Sequence, residues 1–227
     1  MGSDKASKRG YTKVEVSEAV DHYTARTIPV HVELQARETV LSEPEMETLL
    51  REARVLALGP CGCREKHGNC DAPVETCISL NKCAEETIER GRARAVTLEE
   101  ALEVLRQSHA AGLVHLAYRQ RDQDVSLVCS CCSCCCFFLT ALKRFDYHDA
   151  VVESAYVVSY DPARCSSCET CVERCPFGAW TKTSASSSES ISFDPSRCFG
   201  CGLCVSTCPT GAIAFVKRKR GGNENQL

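Results

Sequence analysis

No apolar run in the chain approaches the roughly 18 residues that a membrane-spanning helix needs, so no transmembrane segment is expected. The opening stretch, Met1 to Gly10, is polar and has no apolar h-region, which predicts no signal peptide. A glycine-rich phosphate loop, a Walker sequence, a dinucleotide fingerprint and a Ser/His/Asp constellation are all missing. No flavin or nicotinamide site is therefore visible. An excess of charge is missing too: 27 Lys and Arg stand against 30 Asp and Glu, for a net charge of -3. That balance argues against a nucleic-acid-binding surface. The one basic run, Lys217-Arg218-Lys219-Arg220, precedes Gly221-Gly222-Asn223 and reads as a solvated tail.

What the chain has in abundance is cysteine, 19 in 227 residues. In a short secreted chain such density marks a disulfide scaffold. Here the count is odd, which would leave one thiol over, and no secretion signal is expected. Dense cysteine in a cytoplasmic chain points to metal instead. Oxygen-poor cytoplasm is the natural setting, because exposed thiolates oxidise readily.

Eight of the cysteines form two runs with one spacing. They are Cys165-x2-Cys168-x2-Cys171-x3-Cys175-Pro176 and Cys198-x2-Cys201-x2-Cys204-x3-Cys208-Pro209. The runs lie within a repeat of period 33. Tyr160-Asp161-Pro162 aligns with Phe193-Asp194-Pro195, and Gly178-Ala179-Trp180 with Gly211-Ala212-Ile213. Each copy reads as strand, cysteine loop, short helix, turn at glycine, strand. Entering strands are expected at 157–160 and 191–193, leaving ones at 179–182 and 212–216. Ser184-Ala185-Ser186-Ser187-Ser188 reads as a surface connector.

Residues 156–216 resemble the 4Fe–4S dicluster ferredoxin family, with every ligand position present. The resemblance implies a pseudo-twofold module with two [4Fe–4S] clusters. One would take Cys165, Cys168, Cys171 and Cys208; the other would take Cys198, Cys201, Cys204 and Cys175. Two oxidised clusters bring the net charge to roughly -7, favouring a basic patch on a redox partner. Gly200 and Gly202 would let the backbone approach the sulfurs of the second copy, which is expected to have the higher potential.

The remaining eleven cysteines fall in two groups. The first holds Cys61, Cys63, Cys70, Cys77 and Cys83; the second runs from Cys129 through Cys131, Cys132, Cys134, Cys135 and Cys136. Metal ligands are expected first at Cys61, Cys63, Cys70 and Cys77. Cys131, Cys132, Cys134, Cys135 and Cys136 form a second set. Soft thiolates select a third iron–sulfur cluster or zinc. Cys83, on a helix with Ile88, reads as a buried small apolar residue. His67 reads as a second-shell or solvent-facing residue rather than a ligand. Arg64 is either a partner for thiolates or an ordinary surface arginine.

Around these cysteines a helix is expected from Pro44, with Met46, Leu49, Leu50, Ala53 and Leu56 or Ala57 on one face, stopping at Gly59-Pro60. Thr97-Leu98-Glu99-Glu100 is a capping box opening a second helix that Gly112 ends. Residues 113–117 and 125–128 then read as a hairpin. Helix followed by hairpin resembles a winged helix, but no basic recognition helix precedes it.

The expected fold class is α+β: a mobile N-terminus at 1–13, a mixed α/β cysteine-rich domain at 14–150, the dicluster module at 155–217 and a polar tail at 218–227. The expected function is electron transfer, as a protein or subunit serving a larger redox enzyme or flavoprotein in the cytoplasm. The alternatives are a reductase with its active centre at the N-terminal cysteines, and a redox-sensing regulator.

Overall fold

The computed structural model describes residues 10–20, 23–28, 45–120, 124–145, 147, 150–185 and 188–218. Most of the expected mobile start and polar tail, the opening of the helix at 42–44 and the hairpin tip at 121–123 lie outside them. The chain divides into two compact units, Met1–Val152 and Glu153–Leu227.

The first unit contains a seven-stranded sheet. Its strands are β1 (Tyr23–Thr27), β2 (Leu56–Pro60), β3 (Glu75–Leu80), β4 (Arg94–Ala95), β5 (Val114–Gln120), β6 (Leu127–Cys131) and β7 (Val151–Val152). They lie in the order β4-β2-β3-β6-β5-β1-β7, all antiparallel except β1 with β7. Its helices are α1 (Lys13–Val20), α2 (Glu45–Glu52), α3 (Gly62–His67), α4 (Asn81–Glu89), α5 (Leu98–Ala110) and α6 (Phe137–Phe145).

Register decides what each face of this sheet carries. Ile78 pairs with Val128, and Val128 with Ala117. These residues join Leu58, Leu80, Met46 and Leu50 of α2, and Ala101 and Leu105 of α5, in one aliphatic core. Because side chains alternate, the residues next in line point the other way. These are Cys77, Cys129 and Cys131, with Leu116 and Tyr118 beside them on β5. One face is aliphatic and the other carries thiols. Phe138 of α6 packs on Tyr118, with ring centroids 5.0 Å apart.

The expected helix through residue 57 ends at Glu52, and Leu56–Pro60 is a strand. A short apolar run bounded by Gly-Pro fits both states, and burial of all four residues from Leu56 to Gly59 settles it as a strand between two others. At Gly59 a Cβ would come within 2.8 Å of the Arg92 carbonyl oxygen, and the register shifts between Gly59 and Pro60. That bulge launches the chain into Cys61. The capping box at Thr97 forms with Glu100 as read. The expected hairpin is β5 and β6, two interior strands of the sheet rather than a wing.

The second unit contains β8 (Tyr156–Tyr160), α7 (Thr170–Arg174), β9 (Trp180–Ala185), β10 (Ser188–Phe193) and β11 (Ile213–Lys217). β8 pairs with β11, and β9 with β10, both antiparallel. The copies mirror each other in detail. Asp161 donates its backbone N–H to Ala212 at 2.9 Å, and Asp194 donates to Ala179 at 2.8 Å. Each of these aspartates also caps a 3-10 turn, at Pro162–Arg164 and Pro195–Arg197. The second copy lacks the expected short helix. Ser206 and Thr207 hydroxyls instead bond the Leu203 carbonyl, at 3.5 and 3.1 Å, in competition with the backbone ladder.

Candidate metal centres

In the second unit Cys165, Cys168, Cys171 and Cys208 line one cavity, about 310 Å³ including its open mouth. The strand ends and loops of both copies build it: Tyr160, Thr170, Ile191, Thr210 and Ile213 complete the wall. Cys168 is exposed and Cys171 buried. Donors converge on these sulfurs. The Ser167 N–H reaches Cys165 at 3.4 Å, and the Thr170 hydroxyl reaches Cys168 at 3.4 Å. The Thr170 hydroxyl and backbone N–H hold the Cys168 thiol below its ordinary range. Burial pushes Cys208 up, but the Thr210 hydroxyl and the backbone N–H groups of Thr210, Ala212 and Ile213 outweigh it and bring it down.

The other quartet is Cys175 with Cys198, Cys201 and Cys204; burial, with the neighbouring Cys175, raises the last three thiols. It is the drier of the two: Cys198, Cys201 and Cys204 are each 8 % exposed. Burial pushes Cys201 up to about 12, whereas in the first quartet Cys171 rises only to about 11. The donors of this other quartet are N–H groups: Ala179 to Cys175 at 3.4 Å, Val158 and Gly200 to Cys198, Leu203 to Cys201 and the Trp180 indole to Cys204. Trp180 is itself buried, 5.1 Å from Tyr160 and 4.5 Å from Phe193 between ring centroids.

The Gly200 N–H reaches the Cys198 sulfur, as expected, and both Gly200 and Gly202 also make room for neighbours. Both have positive φ, and a Cβ would meet the Tyr156 carbonyl oxygen at 2.0 Å and the Phe215 ring at 2.5 Å. The aligned residues of the first copy, Ser167 and Glu169, take the same left-handed backbone, φ 55 and 63, without glycine.

The first unit gathers ten of its eleven thiols into two sets. Cys61, Cys63, Cys77, Cys129, Cys131 and Cys136 form a ring. Cys77 and Cys129 are cross-strand neighbours with Sγ atoms 3.4 Å apart. Cys61 lies within hydrogen-bond reach of Cys63 and Cys77, and Cys131 of Cys129 and Cys136. Cys63 and Cys136 close the ring through their charges. Thiol donors from Cys129 and Cys61 pull Cys77 down to about 5. Two tyrosines face the ring: Tyr118 Oη is 3.5 Å from Cys131 Sγ, and Tyr11 Oη donates to Cys63 Sγ at 3.4 Å.

The second set is Cys70, Cys132, Cys134 and Cys135, whose Sγ atoms all lie within 4.8 Å of one another. The four expected first as ligands are thus divided: Cys61, Cys63 and Cys77 sit in the ring and Cys70 in the quartet. Of the rest, Cys131 and Cys136 go to the ring. Cys83 is half-buried on α4, and burial raises its thiol.

Arg64 stands between the sets with only 3 % exposure. Its Nη1 donates to the Ser130 carbonyl at 2.9 Å and reaches Cys132 Sγ at 3.8 Å, while Nη2 bonds the Thr76 hydroxyl. It is no surface arginine; it faces thiolates. His67 is buried and packs edge-on against Tyr11, with centroids 4.5 Å apart. Sequence reading missed Cys129, Tyr11 and Tyr118. The spacing of Cys129 and Cys131, two apart on a strand, was the available signal for the first.

Residues 164–213 match the family model of the 4Fe-4S dicluster domain. That match brings an iron–sulfur cofactor to the second unit. It covers none of the first unit, whose clustered cysteines are compatible with metal binding. No curated protein matches the chain. Among the described residues no helix is long and apolar enough to cross a membrane.

Proposed function

We propose that the chain is an iron–sulfur electron-transfer protein or subunit. It relays single electrons through two [4Fe–4S] clusters in residues 155–217, with a further metal centre in the cysteine-rich residues 14–150. The observation that supports this best is the crossing of the copies. Cys208 lines the cavity of Cys165, Cys168 and Cys171, and Cys175 lies with Cys198, Cys201 and Cys204. Four thiols, a walled cavity and converging N–H and hydroxyl donors suit an anionic cluster. When bound, each cluster supplies a one-electron couple.

The chain's own residues set how that couple behaves. Exposed Cys168 gives the first quartet an edge open to a partner, while Trp180, Val205 and Phe177 keep water from the second unit's interior. Greater exposure, with the Thr170 and Thr210 hydroxyls on Cys168 and Cys208, stabilises negative charge, so the first quartet is assigned the higher potential. This differs from the order expected from Gly200 and Gly202: the Gly200 N–H does reach Cys198, but burial outweighs it. The ring of six thiols, with Arg64 beside it, is the candidate for the further cluster.

The test is epistasis read by iron content and by EPR of the reduced protein. Cys175→Ser and Cys198→Ser should each remove about four iron per chain, and combining them should remove no more. Cys175→Ser with Cys165→Ser should remove both clusters. Additivity of the first pair would overturn the crossed ligand sets. In a redox titration the signal that survives Cys198→Ser should have the higher midpoint.

A further inference from the structure

The two thiol sets of the first unit differ in spacing, and spacing separates one ion from a cluster. Cys70 and Cys132 Sγ stand 3.6 Å apart, and Cys134 and Cys135 Sγ 3.8 Å. A tetrahedral ion with metal–sulfur bonds of about 2.3 Å places its ligand sulfurs about 3.8 Å apart. A cubane has four irons standing between its thiolates and holds them farther apart. Among the described residues no other group of three or more His, Cys, Asp or Glu side chains is this tight. The second unit's two quartets, in the region that matches the dicluster domain, are therefore more widely spaced than this one.

We propose that Cys70, Cys132, Cys134 and Cys135 bind a single tetrahedral ion, Zn2+, at a structural site distinct from any iron–sulfur centre. Four thiolates select zinc among redox-inert divalent ions, and four sulfur ligands leave no open position for a substrate. The complex would carry two negative charges, and the surroundings answer them. Arg64 Nη1 lies 3.8 Å from Cys132 Sγ. Backbone N–H groups of Asn69 and Cys135 point at Cys135 and Cys132 sulfurs respectively. Asn69 Nδ2 donates to the Cys134 carbonyl at 2.8 Å, tying the two ligand segments together before any ion arrives. Such partners fix the orientation of ligands.

The role follows from where the ligands sit. Cys70 lies between α3 and β3, and the other three lie in the turn between β6 and α6. An ion here clamps that loop to that turn. Both segments also carry ring thiols, Cys63 and Cys77 on one side and Cys131 and Cys136 on the other. Binding exchanges thiol protons for the ion and involves no change of oxidation state. The site refines the reading of the first unit as metal-binding and does not depend on electron transfer.

The experiment measures zinc and iron in the full chain purified without oxygen, with zinc K-edge absorption for the ligand set. About one zinc per chain, with four sulfur neighbours at about 2.3 Å, is expected. Cys134→Ser, at an exposed position, should lose the zinc and keep its iron; Cys70→Ser should do the same, and Cys77→Ser should keep the zinc. Loss of iron with Cys134→Ser would overturn the proposal, as would zinc that survives both variants. So would a zinc-free chain with Cys70 and Cys132 in a disulfide. EPR of the reduced dicluster region reads the electron-transfer proposal separately, since its signals should persist in Cys70→Ser and Cys134→Ser. A parent chain with zinc and no such signals would sink that proposal alone.

Discussion

The two units hold their sulfurs by different means. In the second, thiols sit on loops beside two short hairpin-like sheets, and local backbone geometry aims them. In the first, the ring hangs on the sheet itself. Cys77 and Cys129 meet only because β3 and β6 pair in one register. A slip of one residue would turn Cys129 and Cys131 to the aliphatic face. The difference teaches where each kind of site is fragile: loop sites break at a single strained residue, and sheet-borne sites break with the stability of the whole sheet.

The largest effect should come from forcing a side chain into the loop. Gly200→Ala adds a Cβ against the Tyr156 carbonyl oxygen in a left-handed backbone and should destabilise the second unit by about 3 kcal/mol. The aligned Ser167→Gly should change stability by no more than about 1 kcal/mol, since Ser167 already holds that backbone without obstruction. Chemical denaturation followed through cluster absorbance compares them. Equal effects would erase the distinction between the two copies.

A smaller effect should reach the sheet through His115. This residue has no exposed surface, with Nδ1 3.0 Å from the Ser130 hydroxyl on β6. Burial, and then the neighbouring His109, push it down to about 3 from 6.5. The unfolded chain takes up the proton near pH 6.5 and the folded one does not until about pH 3. Stability is therefore full well above pH 6.5 and falls as the pH drops below it, by at most about 1.4 kcal/mol per pH unit, or about 2 kcal/mol by pH 5. Denaturation of the first unit between about pH 7 and pH 5 should show this slope, and His115→Asn should flatten it. An unchanged slope would remove His115 as the acid-sensitive point.

The smallest effect should be at the edge of the aliphatic face. Thr97→Ala removes the cap that α5 receives from the Thr97 side chain, at about 1 kcal/mol. Circular dichroism melts should show the loss in the first unit, with the second unit's iron–sulfur absorbance unchanged. If cluster absorbance fell with it, loop sites and sheet sites would share one fate.

Legibility in the sequence followed the same divide. Ligands within a loop announce themselves by spacing, so the dicluster repeat and the strands of the second unit could be read from Cys165 and Cys198 onward. The cap at Thr97 and the β5–β6 hairpin were equally local. The partition of the first unit's thiols was not local. Cys131 and Cys132 are adjacent in the chain yet belong to different sets, because alternation along β6 ends between them. Cys70 parts from Cys63 and Cys77 for a similar reason: it lies in the loop between α3 and β3. Tyr11 lies 52 residues from Cys63, and no pattern links them. Long-range pairing, absent from any window of sequence, decided these.

The pairing of strands in the second unit makes each half of the repeat depend on the other. Among the described residues neither copy of the repeat contains a pair of its own: β8 finds β11 and β9 finds β10, across the copies. A lone copy would present two bare strand edges and an incomplete set of thiols. Two identical lone copies about a twofold axis would satisfy both at once, in a self-complementary contact. The module thus has the plan of a twofold dimer carried within one chain. The halves of that plan are not identical: Gly200 and Gly202 stand where the other copy has Ser167 and Glu169.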